Sequence, residues 1–187
     1  MNRITAVVAG LSLAFVGTST TIAATINVPG DQPTIAAAIS ASVNGDVINI
    51  AAGTYNEHSL NPGGKAITIG SASGNLDVTI DAQQGGSVFV INSGEGSGTV
   101  IQNLVITGGS TPYGGGIKCE SGSSPTITGC TIEGNASCSG GGIYCASNSD
   151  ATINSCLIRN NTANGVDGQQ GGQGGGIFCD EASPTIT

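Results

Sequence analysis

Residues 127–135 read ITGCTIEGN and residues 153–161 read INSCLIRNN, two nine-residue blocks that begin 26 positions apart. A looser copy, IQNLVITGG, occupies residues 101–109, one more 26-residue step upstream. Following that step along the chain gives two columns, Val78, Leu104, Cys130, Cys156 and Ile80, Ile106, Ile132, Ile158. Inside each block apolar and polar residues alternate, which is the period of a strand with one face buried. A repeat of roughly 20–50 residues marks a solenoid or an array, and the elements inside one period decide which. The runs here are short, β-branched and broken by Gly, Ser and Asn, with no stretch of helical period. A propeller blade would need about 40 residues or more. The pattern predicts three short strands per turn, such as 117–119, 126–128 and 130–133, with turns stacked at about 4.8 Å.

A second motif runs through the same region. The glycine triplet of residues 114–116 recurs at 140–142 and 174–176, each time followed by Ile, one variable residue and Cys. The variable residue faces outward and reads Phe89, Lys118, Tyr144, Phe178 down four turns, with Val88 and Val90 replacing Ile and Cys in the first. An outward aromatic strip suits sugar rings, whose apolar faces stack while their hydroxyls reach polar neighbours. These four residues are therefore the expected ligand-binding positions. The longer step between the last two triplets holds an insertion, residues 164–173 (NGVDGQQGGQ), expected to be a surface loop because insertions in repeats map to loops.

The six cysteines fall on the same grid. Cys119, Cys145 and Cys179 share one inward column and Cys130 and Cys156 another, while Cys138 sits in a turn without a mate. Neighbouring turns lie within Cα range for a disulfide, but parallel side-chain directions strain one, so buried thiols and bridges both remain open. No CxxC spacing exists to hold zinc. Asn135 and Asn161 share a turn position, where stacked amides can hydrogen-bond along the axis.

Upstream the grid loosens, with strands expected at 47–50, 66–69, 78–80 and 88–91. A solenoid needs a cap over its exposed strand edge. Residues 31–42 supply one: Asp31 as N-cap, Pro33 opening a short Ala-rich helix, and Ile35 and Ile39 on one face. At the other end, residues 184–187 restart the unit that begins at Pro125, so the chain reads as a solenoid whose C-terminal turns are incomplete.

Composition fits a thin, repeated core. The 187 residues include 32 Gly, one Met, no Trp and only 9% charged residues. Residues 1–24 carry Arg3, an apolar stretch over 4–16 and small residues at Ala23 and Ala24, the pattern of a secretory signal peptide. That stretch is too short for the roughly 20 residues of a membrane span, and no later segment is long enough. The mature chain, residues 25–187, is thus expected to be one domain, secreted or held at the cell surface, and monomeric. Its cations are Lys65, Lys118 and Arg159 against 12 acids, about −9 by formal count, which excludes nucleic acid as a partner.

Residues 26–57 (INVPGDQPTIAAAISASVNGDVINIAAGTYNE), with KAITIG at 65–70 and 79–81, resemble the N-terminal cap and first coils of the pectin-lyase-like right-handed parallel β-helix superfamily. The later GGGI, ITGCTIEGN and SPTIT units resemble the repeats of its uncharacterised secreted and surface members and, more distantly, the GGAI repeats of polymorphic outer-membrane proteins. The resemblance covers nearly the whole mature chain and implies an all-β fold, a right-handed parallel β-helix with a short N-terminal capping helix. It implies no single activity, because the superfamily holds lyases, hydrolases, esterases, epimerases, adhesins and tailspikes.

Two functions follow as expectations. The first is a β-helix repeat protein that binds polysaccharide or another surface through an outward face. The alternative is a polysaccharide lyase or glycoside hydrolase. For that alternative the outward column Asp81, Thr107, Glu133, Arg159 supplies weak catalytic candidates in Asp81, Glu133 and Arg159. Two carboxylates two turns apart lie about 10 Å from each other, near the upper limit for inverting glycosidases. The plainer reading pairs Glu133 with Arg159 as an exposed ion pair. The paired-Asp, Gly-His-Gly and Arg-Ile-Lys signatures of polygalacturonases and the Gln-Asp arrangement of pectin methylesterases are absent. No metal site is expected, and no cofactor other than calcium stays open, since three acids on consecutive turns of one column are not found. His58, the lone histidine, reads as a surface loop residue.

Overall fold

The computed structural model describes residues 22–164 and 172–187. Residues 1–21 of the expected signal peptide and most of the 164–173 insertion lie outside the described residues. The remainder is a parallel β-solenoid of about five turns with one short helix near its N-terminus.

The largest sheet has seven parallel strands: Thr25–Val28, Val47–Ile50, Thr68–Ser71, Val100–Gln102, Thr126–Thr128, Thr152–Asn154 and Thr185–Ile186. Every one of them places an isoleucine in register at its inward position: Ile26, Ile48, Ile69, Ile101, Ile127, Ile153 and Ile186. The five interior members of this file are buried, whereas Ile186 on the last turn is 60% exposed. A second file, Tyr55, Ile80, Ile106, Ile132, Ile158, forms the inward side of the five-stranded sheet built from Gly53–Tyr55, Val78–Asp81, Val105–Thr107, Thr131–Glu133 and Leu157–Arg159. Identical β-branched side chains stacked one strand spacing apart pack in a common rotamer and bury their methyls against each other. The expected 26-residue column is therefore a physical file.

The third sheet pairs Phe89–Ile91, Ile117–Cys119, Ile143–Ala146 and Ile177–Asp180. A fourth, of Ser110–Tyr113, Ala136–Ser139 and Thr162–Ala163, corrects the expectation of three strands per turn. These segments read STPY, ASCS and TA, with no alternation to announce a strand, and backbone pairing to the next turn alone defines them. Several expected boundaries also move, among them 78–80 to Val78–Asp81 and 88–91 to Phe89–Ile91. The 66–69 strand lies at Thr68–Ser71, and the 130–133 strand begins at Thr131 because Cys130 follows the left-handed Gly129 at a bend.

The glycine triplets form the corner between the fourth and third sheets. Their first members, Gly114, Gly140 and Gly174, have φ of +66°, +65° and +62°. At Gly141 a Cβ would fall 2.4 Å from the Thr162 carbonyl oxygen and 2.5 Å from that of Gly175, so adjacent turns close on each other only where no side chain intervenes. Next to this corner the asparagine stack forms as expected. Asn135 donates through Nδ2 to Asn161 Oδ1 at 3.0 Å and to the Ile106 carbonyl at 3.0 Å, and its own Oδ1 accepts from Gly109 N at 2.8 Å.

At the N-terminal end, helix Ile35–Ala41 buries Ile35, Ala38 and Ile39 over the first turns. Thr34, not the expected Asp31, is its N-cap, accepting from Ala37 N at 3.1 Å. Asp31 lies before the helix and closes a turn instead, accepting from the backbone and side-chain nitrogens of Asn27. The Glu57 carboxylate, arriving from the following turn, takes the free N–H groups of Ile35 and Ala36 at 2.8 and 2.9 Å.

An unforeseen acid pins the opposite corner. Glu95 is buried, and its oxygens accept from Gly64 N, Ser93 N and the Ser123 hydroxyl at 3.0, 2.8 and 2.9 Å. Burial pushes its carboxyl up, but these donors outweigh it and hold the group below its ordinary value of 4.5. A folded pKa below the unfolded one adds stability above that ordinary value and loses it as the pH falls through the lowered one. Glu95→Gln is expected to lower the thermal midpoint at neutral pH, with the difference from wild type closing in acid; a difference that does not depend on pH would contradict this role. Ile132→Ala, in the middle of its file, should cost roughly 2–5 kcal/mol in denaturant melts.

Candidate functional site

The outward positions of the third sheet are Val90, Lys118, Tyr144 and Phe178, set opposite one another by backbone register. Phe89 was expected in this file and does not belong to it. It lies opposite Ile117, is fully buried and packs in the core. The spacing from this strand to the next is one residue shorter than a match of Phe89 to Lys118 requires, and a one-residue slip exchanges the two faces of a strand.

Its place in the aromatic group is taken by Tyr113, at the end of strand Ser110–Tyr113 and just before a glycine triplet. Three successive turns thus carry neighbouring rings. Tyr113 and Tyr144 have centroids 5.2 Å apart at 42°, and Tyr144 and Phe178 have centroids 5.9 Å apart at 19°. Tyr144, sandwiched between the other two, is only 6% exposed, whereas Tyr113 is 47% exposed. The middle ring therefore supports the ledge, and Tyr113 presents it to solvent.

Charges flank the ledge. Lys118 is held by Glu120 at 3.0 Å, and Asp180 lies two residues past Phe178 on the same side of its strand. Burial, with the nearby carboxylates of Asp180 and Glu120, pushes the Tyr144 phenol above its ordinary value. Beside Tyr113, the fourth sheet opens a cleft of about 340 Å³ lined by Ser110, Thr111, Pro112, Ala136, Ser137 and Asn164. Among the described residues its walls offer hydroxyls, an amide and apolar carbon, and no ionisable group. Sequence reasoning missed this cleft along with the strands that form it. The one available signal was Tyr113 itself, an aromatic immediately ahead of a repeated triplet.

The weak catalytic candidates do not converge. Asp81 lies opposite Thr107, and its Oδ1 accepts from Gln83 N at 2.8 Å in the turn that follows its own strand. Glu133 lies opposite Arg159, and Arg159 Nε donates to its Oε2 at 2.7 Å. Glu133 is thus paired with Arg159, and Asp81 is engaged by the turn after its own strand. His58 contacts Ser59 Oγ at 3.2 Å and the glycines of the neighbouring turn. Among the described residues no three His, Cys, Asp or Glu side chains gather where they could hold one ion.

Residues 44–186 match the family model of the right-handed β-helix region. The chain belongs to the right-handed β-helix family. No curated protein and no solved structure matches it.

Within this β-helix all six cysteines are free thiols; Cys119, Cys145 and Cys179 are in register as expected, with Cys179 exposed on the last turn, while Cys138, expected in a turn, lies on the strand Ala136–Ser139. A hydrogen bond with Cys145 and burial push the Cys119 thiol well up, and Cys179 is raised by burial and by Cys145. In the other column a hydrogen bond from Cys130 lowers the Cys156 thiol to about 7, against the effect of burial. The thiolate is the nucleophile, so its fraction sets reactivity near neutral pH. Iodoacetamide followed by peptide mapping is expected to modify Cys156 faster than the more exposed Cys179 at pH 7, with half-maximal rate near pH 7 for Cys156; the reverse order would refute the pairing.

Proposed function

We propose that this β-helix is exported as a monomer and binds polysaccharide through the Tyr113 ledge and the cleft beside it. The observation that carries the reading is an exposed aromatic ring, braced by Tyr144 and Phe178, on the same strand as Ser110, Thr111 and Pro112, which line an open cleft. A pyranose can lay its apolar face on such a ring while its hydroxyls reach Ser110, Thr111, Ser137 and Asn164, as sugar and cleft both mix apolar and polar groups. The rigid scaffold helps, because a ring locked by its neighbours loses little freedom when a ligand docks. Export is supported by the signal-like residues 1–24, and the strongly acidic composition suits an extracellular surface better than a polyanionic partner.

The direct test is binding of soluble oligosaccharides by titration calorimetry to the wild type, Tyr113→Ala and Phe178→Ala. Tyr113→Ala is expected to weaken binding at least ten-fold, about 1.4 kcal/mol, and Phe178→Ala by less, with circular dichroism unchanged in both. Glycan binding that survives both substitutions would remove the ledge from consideration.

A further inference from the structure

We infer that the glycan accepted at the ledge carries no acidic groups, so that polyuronates and sulfated chains are excluded while hydroxyl-bearing hexose polymers bind. This rests on the ledge being a glycan site and goes on to name its substrate class. The argument is one of missing counter-charge. Recognising a carboxylate or sulfate takes a cation free to pair with it, usually arginine or lysine in a forked or close contact. Among the described residues the one cation on the ledge, Lys118, is already held by Glu120 at 3.0 Å. Arg159, on the five-stranded sheet, is held by Glu133.

What faces an incoming ligand is instead negative or neutral. Asp180 stands beside Phe178 without a basic partner among the described ion pairs, and the phenol of Tyr144 responds to both it and Glu120. The described residues of the cleft walls, Ser110, Thr111, Pro112, Ala136, Ser137 and Asn164, carry no charge of either sign. Around the site the whole chain carries a formal net charge of −8. A uronate placed against the ledge would lose hydration, gain no ion pair and meet the negative charge of Asp180 beside Phe178. A neutral hexose meets none of these penalties, since hydroxyls exchange water for the hydroxyl and amide groups of the cleft.

The test compares a neutral β-1,4-linked hexose oligomer with an oligogalacturonate of equal length, by calorimetry on the wild type and on Asp180→Asn, at low and high salt and with or without calcium. The inference expects the neutral oligomer to bind at least ten-fold more tightly at low salt. It also expects the gap to narrow as salt screens the repulsion, and Asp180→Asn to raise uronate affinity. Uronate binding as tight as neutral binding, or uronate affinity that appears with calcium, overturns the inference yet leaves a glycan site in place if Tyr113→Ala abolishes it. Binding of neither oligomer, or binding indifferent to Tyr113→Ala, overturns the site itself along with the inference.

Discussion

Parallel pairing between one turn and the next is the constraint on which everything else in the molecule depends. Because the partner strand is the same strand one turn later, each inward position meets its own equivalent, and a residue type that packs once must pack repeatedly. Isoleucine answers this in the seven-stranded sheet without exception, from Ile26 to Ile186. The same logic governs the polar corners. Asn135 and Asn161 satisfy each other and the carbonyls of the turn before, so amides can be buried where a lone asparagine would cost free energy.

Outward positions escape that constraint, which is why chemistry can vary there while the scaffold stays fixed. Down one outward file the residues change from Val90 to Lys118 to Tyr144 to Phe178 with no change in backbone pairing. The ledge arises beside a corner, where the fourth sheet gives way to the third through a glycine triplet and Tyr113 reaches round to the ring on the next turn. Elsewhere the outward groups settle local accounts. Arg159 on Glu133 and the Gln83 N–H on Asp81 are contacts of a solvated scaffold.

Much of this architecture was legible in the 26-residue columns, because inward isoleucines and paired asparagines follow from register alone. The exceptions have separate origins. Regular spacing holds from Val100 to Thr126 to Thr152, but the earlier turns step unevenly from Thr25 to Val47, Thr68 and Val100. Counting backwards through an uneven turn misplaced Phe89 by one residue and therefore on the wrong face. Tyr113 and the cleft stayed hidden because the strands beneath them are made of Ser, Thr, Ala and Pro, whose pattern carries no period. At the cap, several residues could close a helix, and only the backbone path decides for Thr34 over Asp31.

The even spacing of the central turns has a genetic consequence. Where Val100, Thr126 and Thr152 succeed one another at a constant interval, an in-frame duplication or loss of one such unit returns every surviving strand to an equivalent partner. Length is then the cheapest property for such a gene to change, and an array can grow taller without inventing a new interior.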